Sequence, residues 1–333
     1  MRYPKELPTA LSESSFVWQE GMKAGLSEKQ LRNATVLRPS RGIRIPSGQD
    51  LKLADRVRAV PLVTHGSVLS HLTAARLWEF PLPPWTDSDD SIHVTRPKHL
   101  NAPRRRGVVG HRANLAAGEI AELDGVPLTS RLKTWLDLAC MLPVEDLVVV
   151  GDHLLRVPRA AFEDRDAPFA LAADLTEVIK AHKGKRGVAK ATEAAGLVRV
   201  GADSAPETRL RLALVDAGLP EPSLNEPIVD DWGRSWHSPD MQYKDYKLAV
   251  EYEGDHHRTP GQLARDIRRG EQTAAIGWLE RRVSKEDMHG ARRLPSRKSG
   301  RRCGPKAGDP EDAGYLTKNQ QTPFSRLKRA PAE

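Results

Sequence analysis

The stretch "KLAVEYEGDHH", residues 247–257, reads as a strand whose end carries Glu251, Glu253, Asp255, His256 and His257. Burying a carboxylate is costly unless it is paired, protonated or bound to a cation, so a purely structural strand would not be built this way. Strand alternation puts Lys247, Ala249, Glu251 and Glu253 on one face and Leu248, Val250 and Tyr252 on the other. The two glutamates then stand about 7 Å apart along the strand. Asp240 follows Pro239 at the end of the preceding strand, and pairing through the "YKDY" turn would bring it near Glu251. Three carboxylates brought together repel unless a cation sits among them or one keeps a proton. An all-oxygen cluster with room for water suits Mg²⁺ or Mn²⁺ rather than zinc. A metal there can acidify water and clamp a phosphate oxygen, so phosphodiester hydrolysis is the expected chemistry. His256 or His257, just past the strand, is the expected general base or water-orienting group.

These residues need elements to hold them. "SAPETRLRLALVDAGLP", residues 204–220, has the marks of a helix: Ser204 as cap, Pro206 in the first turn, Gly218 and Pro220 to stop it. Ser204 and Glu207 also fit a capping box, which would tie the Glu207 carboxylate to the helix start. Three strands follow, joined by the turns "DDWG" and "YKDY", then the helix "TPGQLARDIRRGEQTAAIG" and a fourth strand "WLERRVS". That order implies an α/β sandwich whose third and fourth strands are joined by a right-handed helical crossover. Arg265, Arg268 and Arg269 on the crossover helix fit phosphate contacts, or a solvated face shared with Asp266 and Glu271. The plain alternative for Glu251 and Glu253 is an exposed strand face paired with Arg281 or Arg265.

"PD" at 239–240, then ten residues, then "EYE" at 251–253 resembles the PD-(D/E)xK motif of the restriction-endonuclease-like superfamily. The ordered set "ETRLRLALVDAGLPEPSLNEPI", "PDMQYKDYKLAVEYEGDHH", "RDIRRGEQ" and a strand opening "GW" is similar to a bacterial family related to very-short-patch-repair endonucleases. The likeness covers roughly residues 201–288. It implies Asp240 and Glu251 as metal ligands, with Glu207 as the acidic residue that completes such sites. Glu253 stands where the superfamily usually has a lysine that positions or activates the attacking water. Lys247 shares the strand face but lies about 13 Å from Glu251 by strand rise.

The front of the chain reads as helix, turn, helix and hairpin. "SESSFVWQEGMKA" and "EKQLRNA", the second capped by Ser27, precede two short strands in "TVLRPSRGIRIP". This order suits a winged helix-turn-helix that meets DNA through Lys29, Arg32, Arg38, Arg41 and Arg44. The plain alternative is a helical packing module with a solvated basic face. Element order and "RGIRIP" give it a loose likeness to the antitoxin of AbiE-type abortive-infection systems, which implies binding of operator DNA. Residues 59–200 read as a mixed α/β middle region. It has a helix over "THGSVLSHLTAARLWEF", strands "SIHVTRP" and "RGVVGHRA", and an amphipathic helix over "LTSRLKTWLDLACML". Its histidines, His65, His71, His93, His111 and His153, show no metal-ligand spacing.

The expected fold is therefore α/β, in the mixed α+β sense. It comprises a winged-helix-like module over 1–58, a middle domain over 59–200, a nuclease-like sandwich over 201–288 and a disordered basic tail over 289–333. The net charge of +8 gathers in that tail, which carries 11 Lys and Arg against 4 Asp and Glu. Gly, Pro and charge dominate it, and apolar residues are few. Cys140 and Cys303 match no metal or disulfide pattern, which fits free thiols in a reducing cytoplasm. No run approaches a membrane span, and the first residues lack a secretory apolar region. DNA is the expected partner, and a homodimer would supply two sites for two strands. A toxin or other defence-system protein is a further expected partner. The functional expectation is a metal-dependent DNA endonuclease in repair, restriction or phage defence. The alternative is a DNA-binding regulator or antitoxin with an inactive nuclease-like domain, and nothing in the residues separates DNA from RNA or damaged DNA as target.

Overall fold

A computed structural model describes residues 7–33, 36–159, 163–254 and 260–291 of the 333-residue chain. The chain divides into two compact units, one ending at Val200 and the other beginning at Gly201. The described residues form a mixed α/β protein with three sheets. No helix among them is long and apolar enough to cross a membrane.

The first unit opens on a small antiparallel sheet of β1 (Phe16–Val17), β2 (Val36–Leu37) and β3 (Ile43–Pro46), in the order β1-β3-β2. Phe16, Leu26, Leu31 and Val36 pack beneath it as a small core. Helix α1 (Trp18–Lys23) is followed by a single turn, α2 (Glu28–Leu31), where a longer helix was expected. The Ser27 Oγ accepts from the Gln30 N–H, and the Gln30 side chain bonds back to the Ser27 backbone. This is the reciprocal cap that starts a helix.

The unit's larger sheet has the order β6-β5-β4-β8-β7. Its strands are β4 (Val68–Leu69), β5 (Ile92–Arg96), β6 (Val108–Arg112), β7 (Ile120–Leu123) and β8 (Val126–Thr129). The expected single helix over 64–80 is split. Val68 and Leu69 pair with β5 and β8, Ser70 is fully extended, and α3 begins only at His71 and runs to Leu77. Strands β7 and β8 form a hairpin turned by Asp124 and Gly125, both at positive φ (51° and 76°), the geometry that two-residue hairpin loops prefer. Helix α4 (Arg131–Leu138) buries Trp135 and Leu138 completely.

The second unit runs as the second-unit sequence pattern suggests. Helix α5 (Ala205–Asp216) comes first. Strands β9 (Ser223–Leu224), β10 (Met241–Tyr243) and β11 (Leu248–Glu253) follow, then helix α6 (Pro260–Ala275), strand β12 (Leu279–Ser284) and helix α7 (Lys285–Ala291). The sheet order is β12-β11-β10-β9. β10 pairs antiparallel with both β9 and β11, whereas β11 and β12 are parallel, so α6 forms the crossover. One face packs Met241, Leu248, Val250 and Val283 against Leu210 and Leu214 of α5. Each fully buried side chain of this kind stabilises the fold by about 1.5–3 kcal/mol. The other face carries Ala249 among Ile228 and Trp278, with Trp236 and Ile276 half-buried beside them. Between β9 and β10 the chain makes a hairpin over 228–237, closed by backbone bonds between Ile228 and Trp236 and between Asp230 and Arg234. Asp230 fixes its tip: one carboxylate oxygen accepts from the Trp232 and Arg234 N–H groups, the other from the Arg234 and Trp236 side chains.

Candidate functional site

The antiparallel register of β10 and β11 pairs Met241 with Val250. One step further along, Asp240 stands across from Glu251, and directly opposed residues share a face. That face is opposite to the α5 core, because Val250 and Met241 point into the core and Ala249 and Glu251 point away from it. Asp240 Oδ2 accepts from the Tyr252 N–H at 2.7 Å, which locks the end of β10 to β11. The Asp240 backbone in turn bonds to the Glu251 carboxylate. Sequence alternation thus predicted the neighbourhood of these two carboxylates correctly.

Two residues outside the expected set, His237 and Glu280, face the pair, together with Arg269, which was expected on the crossover helix. His237, at the foot of the hairpin, places Nε2 3.8 Å from Glu251 Oε1. Glu280 lies on β12 beside Ala249, the residue opposite it in the parallel register. Its Oε2 is 3.8 Å from where a Cβ on Gly270 would stand, so α6 roofs this side of the sheet. Its Oε1 accepts from Arg282 Nε at 2.7 Å. Arg269, half-buried on α6, is close enough for its charge to act on both Glu251 and His237.

The electrostatics follow from burial. Loss of water and the neighbouring Asp240 charge push the Glu251 carboxyl up to about 8, against an opposing pull from Arg269. Burial, then Arg269, hold His237 below the ordinary histidine range. Both groups are therefore neutral near pH 7, and their 3.8 Å contact is not an ion pair. Glu251 Oε1, His237 Nε2 and Glu280 Oε2 are all buried and make no hydrogen bond. Such orphaned polar atoms cost free energy in an empty pocket. Among the described residues no three His, Cys, Asp or Glu side chains are already arranged to hold a metal ion. A pair of carboxylates completed by water and phosphate is, however, how Mg²⁺ is commonly held, and Asp240 with Glu251 meets that requirement.

The other expected residues are distributed as follows. Glu207 is buried and its carboxylate is fully engaged: Oε1 accepts from Ser204 Oγ, and Oε2 from the Asp203 N–H and Asn225 Nδ2. It closes the start of α5 and holds the side chain of Asn225, a residue whose backbone N–H donates to the Asp240 carbonyl. Glu253 ends β11 opposite Ser284, on the Glu251 face. Lys247 is turned away at positive φ (44°), with Nζ 3.7 Å from Asp231. His256 and His257 lie outside the described residues. Arg265 is on α6, and Arg268 is exposed on the same helix.

In the first unit, Lys29 and Arg41 are exposed. Arg32 pairs with Glu28 in the open. Arg44 is buried: Nε donates to the Leu31 carbonyl, and its guanidinium lies 5.0 Å from the Trp18 ring centroid. Its role is to hold β3 to the first helices. A cavity of about 800 Å³ opens nearby, with Arg38, Arg56, Arg76, Arg106, Asp87 and Asp90 around an apolar floor. Three of the scattered histidines meet on the large sheet. His71 stacks on His111 (centroids 3.6 Å apart), and His93 Nδ1 lies 3.0 Å from His111 Nε2. Rings stacked this way cannot aim their lone pairs at one ion.

The chain is 27% identical over 275 residues to two Mycobacterium tuberculosis proteins, MT2308 of strain CDC 1551 / Oshkosh and Rv2248 of strain H37Rv. The matched region covers 82% of this chain and 93% of each relative. Both relatives are described as uncharacterized. No family model and no solved structure matches the chain.

Proposed function

We propose that residues 201–288 form a metal-dependent nuclease domain of the restriction-endonuclease-like, PD-(D/E)xK kind, hydrolysing phosphodiester bonds in DNA, and that a winged-helix-like front module grips the substrate. The observation that carries this reading is the Asp240–Glu251 pair, across from each other on the sheet face opposite the α5 core, with Glu251 Oε1 buried and unbonded. The helix, three-strand, helix, strand order with a parallel last pair supports it too.

Asp240 and Glu251 are the residues that would hold Mg²⁺ or Mn²⁺, and Glu207 is left to the helix cap. The cation supplies Lewis acidity, neutralising phosphate charge and making water easier to deprotonate. Asp240, fixed by the Tyr252 N–H, sets the geometry of the pair. Arg269 supplies a cation beside the carboxylates where a lysine would otherwise be expected, suited to a non-bridging phosphate oxygen. His256 or His257 would take the proton of the attacking water. Arg265 and Arg268, with Lys29, Arg32 and Arg41 in the first unit, are the proposed contacts to the nucleic-acid backbone.

A second reading, a DNA-binding regulator or antitoxin acting with a defence-system partner, is favoured by the absence of a lysine beside Glu251. Glu253 takes the usual position, and Lys247 is paired with Asp231 instead. Incubation with plasmid and Mg²⁺ or Mn²⁺ separates the two. The nuclease reading requires cleavage that both Asp240→Ala and Glu251→Ala abolish. Salt-sensitive binding without cleavage would leave only the regulator.

A further inference from the structure

Strands β5 and β6 are parallel neighbours, yet residues 97–107 join them without a helix, where such crossovers usually carry one. This connection holds Lys98, His99 and the run Arg104, Arg105 and Arg106, and no acidic residue. Its middle arginine is spent on the fold. Arg105 Nη1 donates to Ser40 Oγ and to the Arg41 carbonyl, and Nη2 donates to the Val63 carbonyl. Arg104 and Arg106 on either side of it are exposed, as is Arg41. Together with Arg96 these arginines border a cleft of about 530 Å³ that no described Asp or Glu lines. The 800 Å³ cavity, which shares Arg106, sets Asp87 and Asp90 against its arginines; this cleft has no such balance. Burial, then the charge of Arg41, hold Arg105 below the ordinary arginine range. Two further donors that line the cleft are left over. Arg96 gives Nη1 to the Asn101 carbonyl and Nη2 to the His65 carbonyl, while its Nε is buried and unbonded. Thr64 is 5% exposed, and its buried Oγ1 has no partner.

We propose that this cleft binds the phosphate backbone of nucleic acid, and that residues 97–107 supply more of the first unit's grip than helix α2 does. Gathered guanidinium groups repel one another unless an anion stands between them, and their planar forks match phosphate oxygens two at a time. A phosphodiester oxygen only accepts, so it also suits the leftover Thr64 hydroxyl and Arg96 Nε. Helix α2 is poorer in free donors. It is a single turn, and Arg32 at its end is paired with Glu28. Of the hairpin arginines, Arg44 is turned inward onto the Leu31 carbonyl. Backbone phosphates carry no base identity, so the cleft confers affinity and register rather than choice of sequence. The inference shares with the preceding reading only the class of ligand, and it holds whether or not the second unit cleaves.

The test uses the full chain and a fluorescein-labelled DNA duplex in EDTA, read by fluorescence anisotropy over a range of salt concentrations. Salt-sensitive binding is expected. Arg104→Gln combined with Arg106→Gln should weaken it at least about tenfold and reduce the magnitude of the slope of log K against log salt by about two, equally for two unrelated sequences. Arg104→Lys combined with Arg106→Lys keeps both charges and should restore most of the affinity and the slope. Lys29→Gln combined with Arg32→Gln should cost less than the glutamine pair at 104 and 106. All four positions are exposed, and circular dichroism checks the fold of each variant. Affinity and slope unchanged by the glutamine pair at 104 and 106, or a larger loss from the pair on α2, overturns the inference. Displacement of the duplex by inorganic pyrophosphate at an equal concentration of phosphate groups would make the cleft a small-anion site and overturn it too. A wild-type chain that binds no DNA overturns it together with the front-module part of the preceding reading; metal-dependent cleavage lost in Asp240→Ala and Glu251→Ala would still uphold the nuclease domain. Binding weakened at 104 and 106 in a chain that cleaves nothing upholds the cleft while the nuclease reading falls.

Discussion

At the scale of single residues, the chain tolerates several buried titratable groups by keeping them neutral. His71, His93 and His111 are the clearest case outside the candidate site. Burial, followed by the mutual repulsion of the rings and by Lys133, holds His71 down to about 2 and His111 to about 4. Burial also lowers His93, with Asp89 pulling the other way and Arg76 adding to the fall. Asp137 stands across from His71 at 4.0 Å, itself raised by burial although Lys133 bonds to it. In an unfolded chain these imidazoles take up protons near pH 6.5. The folded state refuses them until far lower, so their contribution is fully present above pH 6.5 and is lost progressively as the pH falls towards about 4. The urea midpoint of the first unit should therefore drop between pH 7.5 and pH 5. His111→Gln should flatten that dependence, and a slope unaltered by the substitution would remove the histidines as its cause. Arg44 makes the same point about context. Its sequence neighbours are basic, so it reads as part of a DNA-facing patch, yet Trp18 and the Leu31 carbonyl claim its guanidinium.

At the scale of elements, what was legible depended on whether the signal was local. Alternation along 248–253 and the capping box at Ser204 are local patterns, and β11 and α5 appear where they predict. The hairpin of β7 and β8 also had a local signal, the Asp-Gly pair at 124–125 between apolar residues, which is a strong turn indicator. His237 and Glu280 had none. His237 reaches the site because a hairpin folds back beside β11, and Glu280 because a parallel crossover returns β12 to the same face. No spacing rule connects positions 237, 251 and 280. The short α2 shows the opposite failure, in which a residue pattern promised more helix than the chain forms. One glycine connects element packing to the site. Gly201 has φ 118°, and a Cβ there would lie 2.8 Å from the Leu224 Cβ and 3.1 Å from its carbonyl oxygen. Its own carbonyl accepts from Asn225 Nδ2, the residue that braces Asp240. Gly201→Ala should cost about 2–4 kcal/mol from strain and overpacking together, read as a lower urea midpoint for the second unit. An unchanged midpoint would show that β9 yields freely.

At the scale of the whole molecule, each unit has its own apolar core, and the candidate cation ligands belong to one of them. Calorimetry should resolve the consequence. A saturating transition ion stabilises only the species that binds it, by about 2.7 kcal/mol at a hundredfold excess over Kd. The expected trace has one transition moved upward by Mn²⁺ and one left in place. Movement of both together would mean that the units unfold as a single body. The candidate cation ligands Asp240 and Glu251 both lie in the second unit, so metal binding is separable from whatever the first unit recognises.

The parallel pairing of β11 with β12 has a temporal side. A chain emerging at about 5–20 residues per second needs about 2–7 s to pass from Glu251 to Ser284. For that interval the growing polypeptide owns both acidic side chains but has neither the strand that carries Glu280 and Arg282 nor a closed roof above them. Whatever reactivity this pocket has is switched on late in biosynthesis, after the front unit is already free to engage its own target.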